Sequence, residues 1–204
     1  MSARNTSLRY GIVAMSFHWT IATLIILNVV LGIWFVNFLE RGDPTRGTVV
    51  SLHETFGILV LLLSLLRLGW RLMNPIPALP ADFSPGKRMF ARGTHYTLYA
   101  LMILVPLIGW ALASIPDRPL VLGLGTIPWP KIFYIAVLSA DAKKVAAGII
   151  APSHIILAFL LFALAVGHLC AALFYHGMIR KDQILQRMVP GTDVTPEGVG
   201  KPSR

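Results

Sequence analysis

Cysteine is nearly missing from this chain. Its 204 residues include one, Cys170. A lone thiol rules out an intramolecular disulfide, and with no C-x-x-C-H run there is no thioether attachment of a haem; the side chain is expected to pack. Charge is scarce too: 13% of residues are charged against 55% apolar, and only 9 are acidic. The interiors of the long apolar runs hold no carboxylate. That argues against ion coupling through buried acids, and so against a haem-free transporter. It also removes the thiolate and carboxylate ligands that a zinc site prefers. No internal repeat is present.

What is there comes in blocks. Four apolar stretches, at about residues 13–39, 52–72, 96–115 and 149–175, each approach or exceed the ~20 residues that cross a bilayer as a helix. The first ends in the bulky WFVNFLE without a small-residue cleavage site, and reads as a retained span. The expected fold is all-α: a transmembrane four-helix bundle over residues 1–190, followed by a flexible tail at 191–204. Between spans 2 and 3, NPIPALPADFSPGKR reads as extended and not helical. The longest connection, from Pro116 to about Gly148, carries KIFYIAVL and ADAKKVAAG, and predicts an amphipathic segment on the membrane surface that covers a site.

The basic residues set orientation. Arg4, Arg9, Arg71, Lys87, Arg88, Arg92, Arg180, Lys181 and Arg187 flank one side, while the basic groups of the other two connections are diluted by Glu40, Asp43, Asp117 and Asp141. The positive-inside rule therefore puts both termini in the cytoplasm. The net charge of +9 is a membrane address, with no basic stripe for nucleic acid.

The histidines carry the chemistry. HIILAFLLFALAVGH begins at His154 and ends at His168, fourteen residues on. Fourteen helical steps rise about 21 Å and return to within about 40° of the starting face. His18 lies near the cytoplasmic end of span 1 and His53 opens span 2 at the other side, so depth pairs His18 with His168 and His53 with His154. Two axial imidazoles suffice for a haem iron, because the porphyrin supplies four nitrogens and fills an apolar slot between helices. The reading that uses all four histidines is two bis-histidine b haems, one near each face.

The same ruler places other groups. Gly32, fourteen residues after His18, would let its backbone approach a porphyrin face. Arg67, fourteen after His53, would meet a haem propionate; Arg71 would meet the other or snorkel to the interface. His95 and His176 are interfacial histidines or partners of a propionate or quinone head group. Glu54 is expected to face water or a helix N-terminus. Lys131, Lys143 and Lys144 would steer an anionic donor.

These features together resemble the bacterial cytochrome b561 family over residues 9 to about 190. The shared motifs are HW at His18, the histidine opening span 2, LLRLGWRL from Leu65 followed by NPIP, PLIGW from Pro106, SH at His154, and HLCAALFYH…RKDQILQRMVP at the end. The resemblance implies four-helix dihaem proteins of the bacterial inner membrane with ligands at His18/His168 and His53/His154. It implies electron transfer between a periplasmic donor and the quinone pool, with ubiquinone as acceptor. One activity in the family is superoxide oxidase, which makes superoxide a candidate donor. The alternative is a cytochrome b subunit anchoring a periplasmic dehydrogenase or hydrogenase, or served by a periplasmic electron-donor protein. Many members carry two histidines where this chain has Tyr175 and His176.

Overall fold

The computed structural model describes residues 2–192 and 194; most of the expected tail lies outside them. Four helices are long and apolar enough to cross a membrane. These are α1 (Ile12–Asn37), α2 (Arg46–Leu72), α3 (Pro85–Ala113) and α5 (Ala140–Cys170), the last continued by a π-helical stretch, Ala171–Arg180. A two-stranded hairpin (β1, Val121–Leu122; β2, Ile127–Pro128) and a single helical turn (α4, Phe133–Ala136) lie between α3 and α5.

Helix ends were the least legible feature, for reasons of capping. The expected extended connection before span 3 is a helix at its close. Ser84 accepts a hydrogen bond from the Lys87 N–H and Pro85 occupies the first helical position. Proline is at home there because no partner awaits its missing N–H. α3 thus starts eleven residues before the apolar block. Likewise ADAKKVAAG does not lie on a surface. Ser139 caps it and Asp141 sits in the first turn, so it forms the opening of α5. α1 has no side-chain cap of its own. Its entry is held by Asn5, whose Oδ1 accepts from the buried Gly11 N–H at 2.9 Å, and Arg46 donates to the Phe35 and Leu39 carbonyls at its exit.

α1 packs along α2, α2 along α3 and α3 along α5, while α1 and α5 touch sparsely. The buried core lies halfway along the bundle and includes Ile25 of α1, Val60 of α2, Tyr99 and Met102 of α3, and Leu161 of α5. Ile25, Val60 and Leu161 stand seven residues from His18, His53 and His154 respectively. An apolar layer therefore separates the two histidine levels. Apolar side chains such as Leu66 (60% exposed) and Ile156 (65%) face outward on helices long and apolar enough to cross a membrane.

Each end is closed. At the end bearing the termini, Asn5 Nδ2 donates to the Pro75 carbonyl, the Tyr10 N–H to that of Arg187, and Trp19 Nε1 to that of Met188. At the far end Leu120 and Leu122 are buried, and the hairpin is pinned to α2 by Ser51 Oγ on the Val121 carbonyl and by the Gly123 N–H on Thr55 Oγ1. Gly123, Leu124 and Gly125 all have positive φ in its tight turn.

Candidate functional site

His53 and His154 meet near the far end with ring centres 6.1 Å apart, and His18 and His168 meet near the termini at 6.2 Å. Two imidazoles that share one metal ion, each bonded at about 2.0 Å, stand roughly 6 Å apart by their ring centres. Both pairs have that spacing.

The far pair is oriented by its outer nitrogens. His53 Nδ1 lies 3.0 Å from the Asn28 carbonyl and His154 Nδ1 lies 3.1 Å from that of Val105. A carbonyl only accepts, so both Nδ1 atoms carry hydrogen and both Nε2 lone pairs are free for a metal. Glycines give these rings their space. A Cβ at Gly109 would stand 2.9 Å from His154 Cε1, and one at Gly32 would stand 3.2 Å from His53 Cε1. Gly32, expected to admit a porphyrin face, lines the same cavity as His53 and His154 and also gives the His53 ring its space.

A cavity of about 450 Å³ opens at this level, lined by apolar groups such as Val29, Phe35 and Phe159 together with His53 and His154. Its charged lining residues are Glu54 and Arg118. Among the described residues no three His, Cys, Asp or Glu side chains gather as a metal-binding group. Two converging imidazoles in an apolar slot fit a metal that brings its own planar ligands, as a haem does. Glu54 does not face water as expected. Its side chain is 11% exposed, Oε1 accepts from Arg118 Nη2 at 2.6 Å, and Oε2 is buried without a hydrogen-bond partner.

The pair near the termini is set differently. Arg67 Nη2 lies 3.1 Å from His18 Nδ1. A guanidinium only donates, so Nδ1 accepts and the hydrogen sits on Nε2. A metal on that Nε2 requires Arg67 to turn away, toward an anion. Arg67 and Arg71 both lie over the Tyr99 ring, at 5.3 and 5.5 Å, and no described carboxylate forms an ion pair with either. A haem carboxylate suits them. His95, expected to open its span, lies ten residues inside α3 with its ring centre 5.5 Å from His168. The added turns come from the Ser84 cap.

His176 is turned elsewhere. Its Nδ1 is 2.8 Å from Asp182 Oδ2, and its ring stacks on Phe83. Arg180 joins the same carboxylate and also holds Asp82. Burial pushes the Asp182 carboxyl up, but the hydrogen bonds from His176, the Ile184 N–H and Arg180 outweigh it and hold the group below its ordinary value. A depressed carboxyl contributes stability above its unfolded value of about 3.9, and that contribution is lost as pH falls through the lower folded value. D182N at neutral pH is expected to reproduce the acid-loosened state. Hydrogen–deuterium exchange over residues 182–190 should be faster than in the wild type; unchanged exchange would show that the carboxylate does not hold this segment.

At the far end, Lys143 is paired with Asp117 at 2.5 Å and Lys131 donates to the Pro116 carbonyl, so two of the three lysines expected to steer a donor already have partners. The Lys143 hydrogen bond holds the Asp117 carboxyl below its usual range. Sequence reasoning missed Gly109, Arg118 and the carbonyls of Asn28 and Val105. Gly109 stood inside the quoted PLIGW, but nothing in one chain's periodicity says which helix a glycine will face.

A family model described as prokaryotic cytochrome b561 matches residues 9–191. The chain is 32% identical to cytochrome b561 homolog 2 of Escherichia coli (strain K12) over 190 residues, 93% of this chain and 95% of that protein. It is 29% identical to cytochrome b562 of Cereibacter sphaeroides over 187 residues, covering 88% and 94% of the two chains. It is 26% identical to a probable superoxide oxidase, CybB, of Yersinia pestis over 185 residues, covering 89% and 96%.

Proposed function

We propose, from the premise that this chain belongs to the prokaryotic cytochrome b561 family, that it carries single electrons across the bacterial inner membrane on two b haems, from a periplasmic donor to ubiquinone. Family membership makes it a multi-pass membrane protein of transmembrane electron transfer with b-type haem. The finer reading is carried by one observation: two histidine pairs with like spacing, at opposite ends of the bundle, on either side of an apolar layer.

Bound between His53 and His154, and between His18 and His168, a haem supplies a reversible one-electron iron couple. The protein does the rest. The Asn28 and Val105 carbonyls fix the far imidazoles in the ligating tautomer. Arg67 and Arg71 would hold the carboxylates of a haem at the end near the termini. Ile25, Val60 and Leu161 keep water out of the middle of the bundle. The excess of basic residues around the termini supports a cytoplasmic placement for that end, which puts His53 and His154 on the periplasmic side. Superoxide suits that side as donor, in keeping with the name of the Yersinia pestis relative.

The purified chain is expected to give a reduced-minus-oxidised spectrum with two b haems. Superoxide should reduce them and ubiquinone should reoxidise them. No b band, or one haem per chain, would overturn the paired-histidine reading. Reduction by dithionite but never by superoxide would remove that donor alone.

A further inference from the structure

Among the described residues, Arg118 is the cation that lines this cavity. It follows α3 in the loop beneath the hairpin, lines the cavity that holds His53 and His154, and keeps 45% of its side chain exposed. One foot is in the apolar slot and the other in water. Of the cavity's two charged lining residues it is the basic one. Its partner Glu54 immediately follows His53, and uses a single oxygen on it.

A haem is amphiphilic: the macrocycle suits the apolar walls, but its two carboxylates need water or a cation where the slot opens. A guanidinium with five donors in a fixed fork is the group best matched to a carboxylate. Arg118 makes one ion-pair bond to Glu54 and one long bond to the Pro119 carbonyl, at 3.3 Å. That leaves donors for a second acceptor. We propose that Arg118 is the carboxylate-binding residue of this cavity, anchoring a propionate of the haem held by His53 and His154, while Glu54 competes for the same guanidinium. The proposal rests on the haem reading above.

The two members of the ion pair then act in opposite directions. R118Q removes the anchor; E54Q removes the competitor and leaves the cation. The full-length protein in detergent is mixed with excess apomyoglobin, and haem transfer is followed by absorbance. R118Q is expected to release the far haem roughly tenfold faster, as the loss of one charge-assisted hydrogen bond implies. R118K should recover part of that, and E54Q should release it no faster than the wild type. Protein reloaded with haem dimethyl ester, whose carboxylates are blocked, should show no difference between wild type and R118Q.

Equal acceleration by E54Q and R118Q would mean that the ion pair only supports the loop, and would overturn the proposal. So would an R118Q effect that persists with the ester, which would show that Arg118 does not act through the haem carboxylates. Failure of the underlying reading looks different: H53A and H154A would then leave the haem complement intact.

Discussion

His154→Ala is expected to remove one haem of two, and His53→Ala to remove the same one. The two side chains face each other at 6.1 Å and each is locked by a separate carbonyl, so neither ring can serve without the other. The double variant should lose no more than either single. His18→Ala and His168→Ala should together define the second haem. Near the termini the structure adds a competitor, because His95 stands closer to His168 than His18 does, at 5.5 against 6.2 Å. H95A is therefore the discriminating variant. It should keep both haems, with at most a spectral shift of one. If H95A loses a haem and H18A keeps two, the pairing near the termini is His95 with His168. The count is read from haem per polypeptide, and the assignment from which band disappears.

Gly109→Val is expected to cost nearly as much haem as losing His154, with no change to a ligand. Even alanine puts a Cβ 2.9 Å from His154 Cε1, a separation real side chains do not keep. The ring cannot simply swing, because Nδ1 is tied to the Val105 carbonyl on the same helix as Gly109. Relief means breaking that bond, and with it the tautomer that frees Nε2. Gly32→Ala is milder, since its Cβ would stand 3.2 Å from His53 Cε1 and a shift of a few tenths of an ångström suffices. Gly167→Ala is the control, with nothing within 4 Å. Replacing a helical glycine by alanine favours the helix by about 1 kcal/mol. G109A should therefore keep its helix content while lowering far-haem occupancy several-fold. Haem loss accompanied by unfolding would mean that Gly109 serves packing and not the imidazole.

Much of this molecule is written along the chain. Four spans follow from hydropathy and length alone, because a bilayer crossing is a one-dimensional demand for about 20 apolar residues. The stacking of His154 above His168 follows from fourteen steps of a regular helix. Helix ends were harder: Ser84 and Ser139 begin helices inside polar, proline-containing or lysine-containing stretches, where hydropathy says nothing and one cap hydrogen bond decides.

Only the tertiary structure could decide what each side chain meets. Glu54 is the buried half of an ion pair because the loop after α3 folds back over α2 and brings Arg118 to it. His176 turns to Asp182 because the last helix widens into a π-helical stretch and then stops at Lys181, whose φ is +53°. Gly109 matters because of the rotation of α3 against α5, which depends on the side chains of both helices. Sequence fixes a residue's depth and its angle on its own helix, since both come from local geometry. Which neighbour it faces is a property of packed pairs, and no single helix contains it.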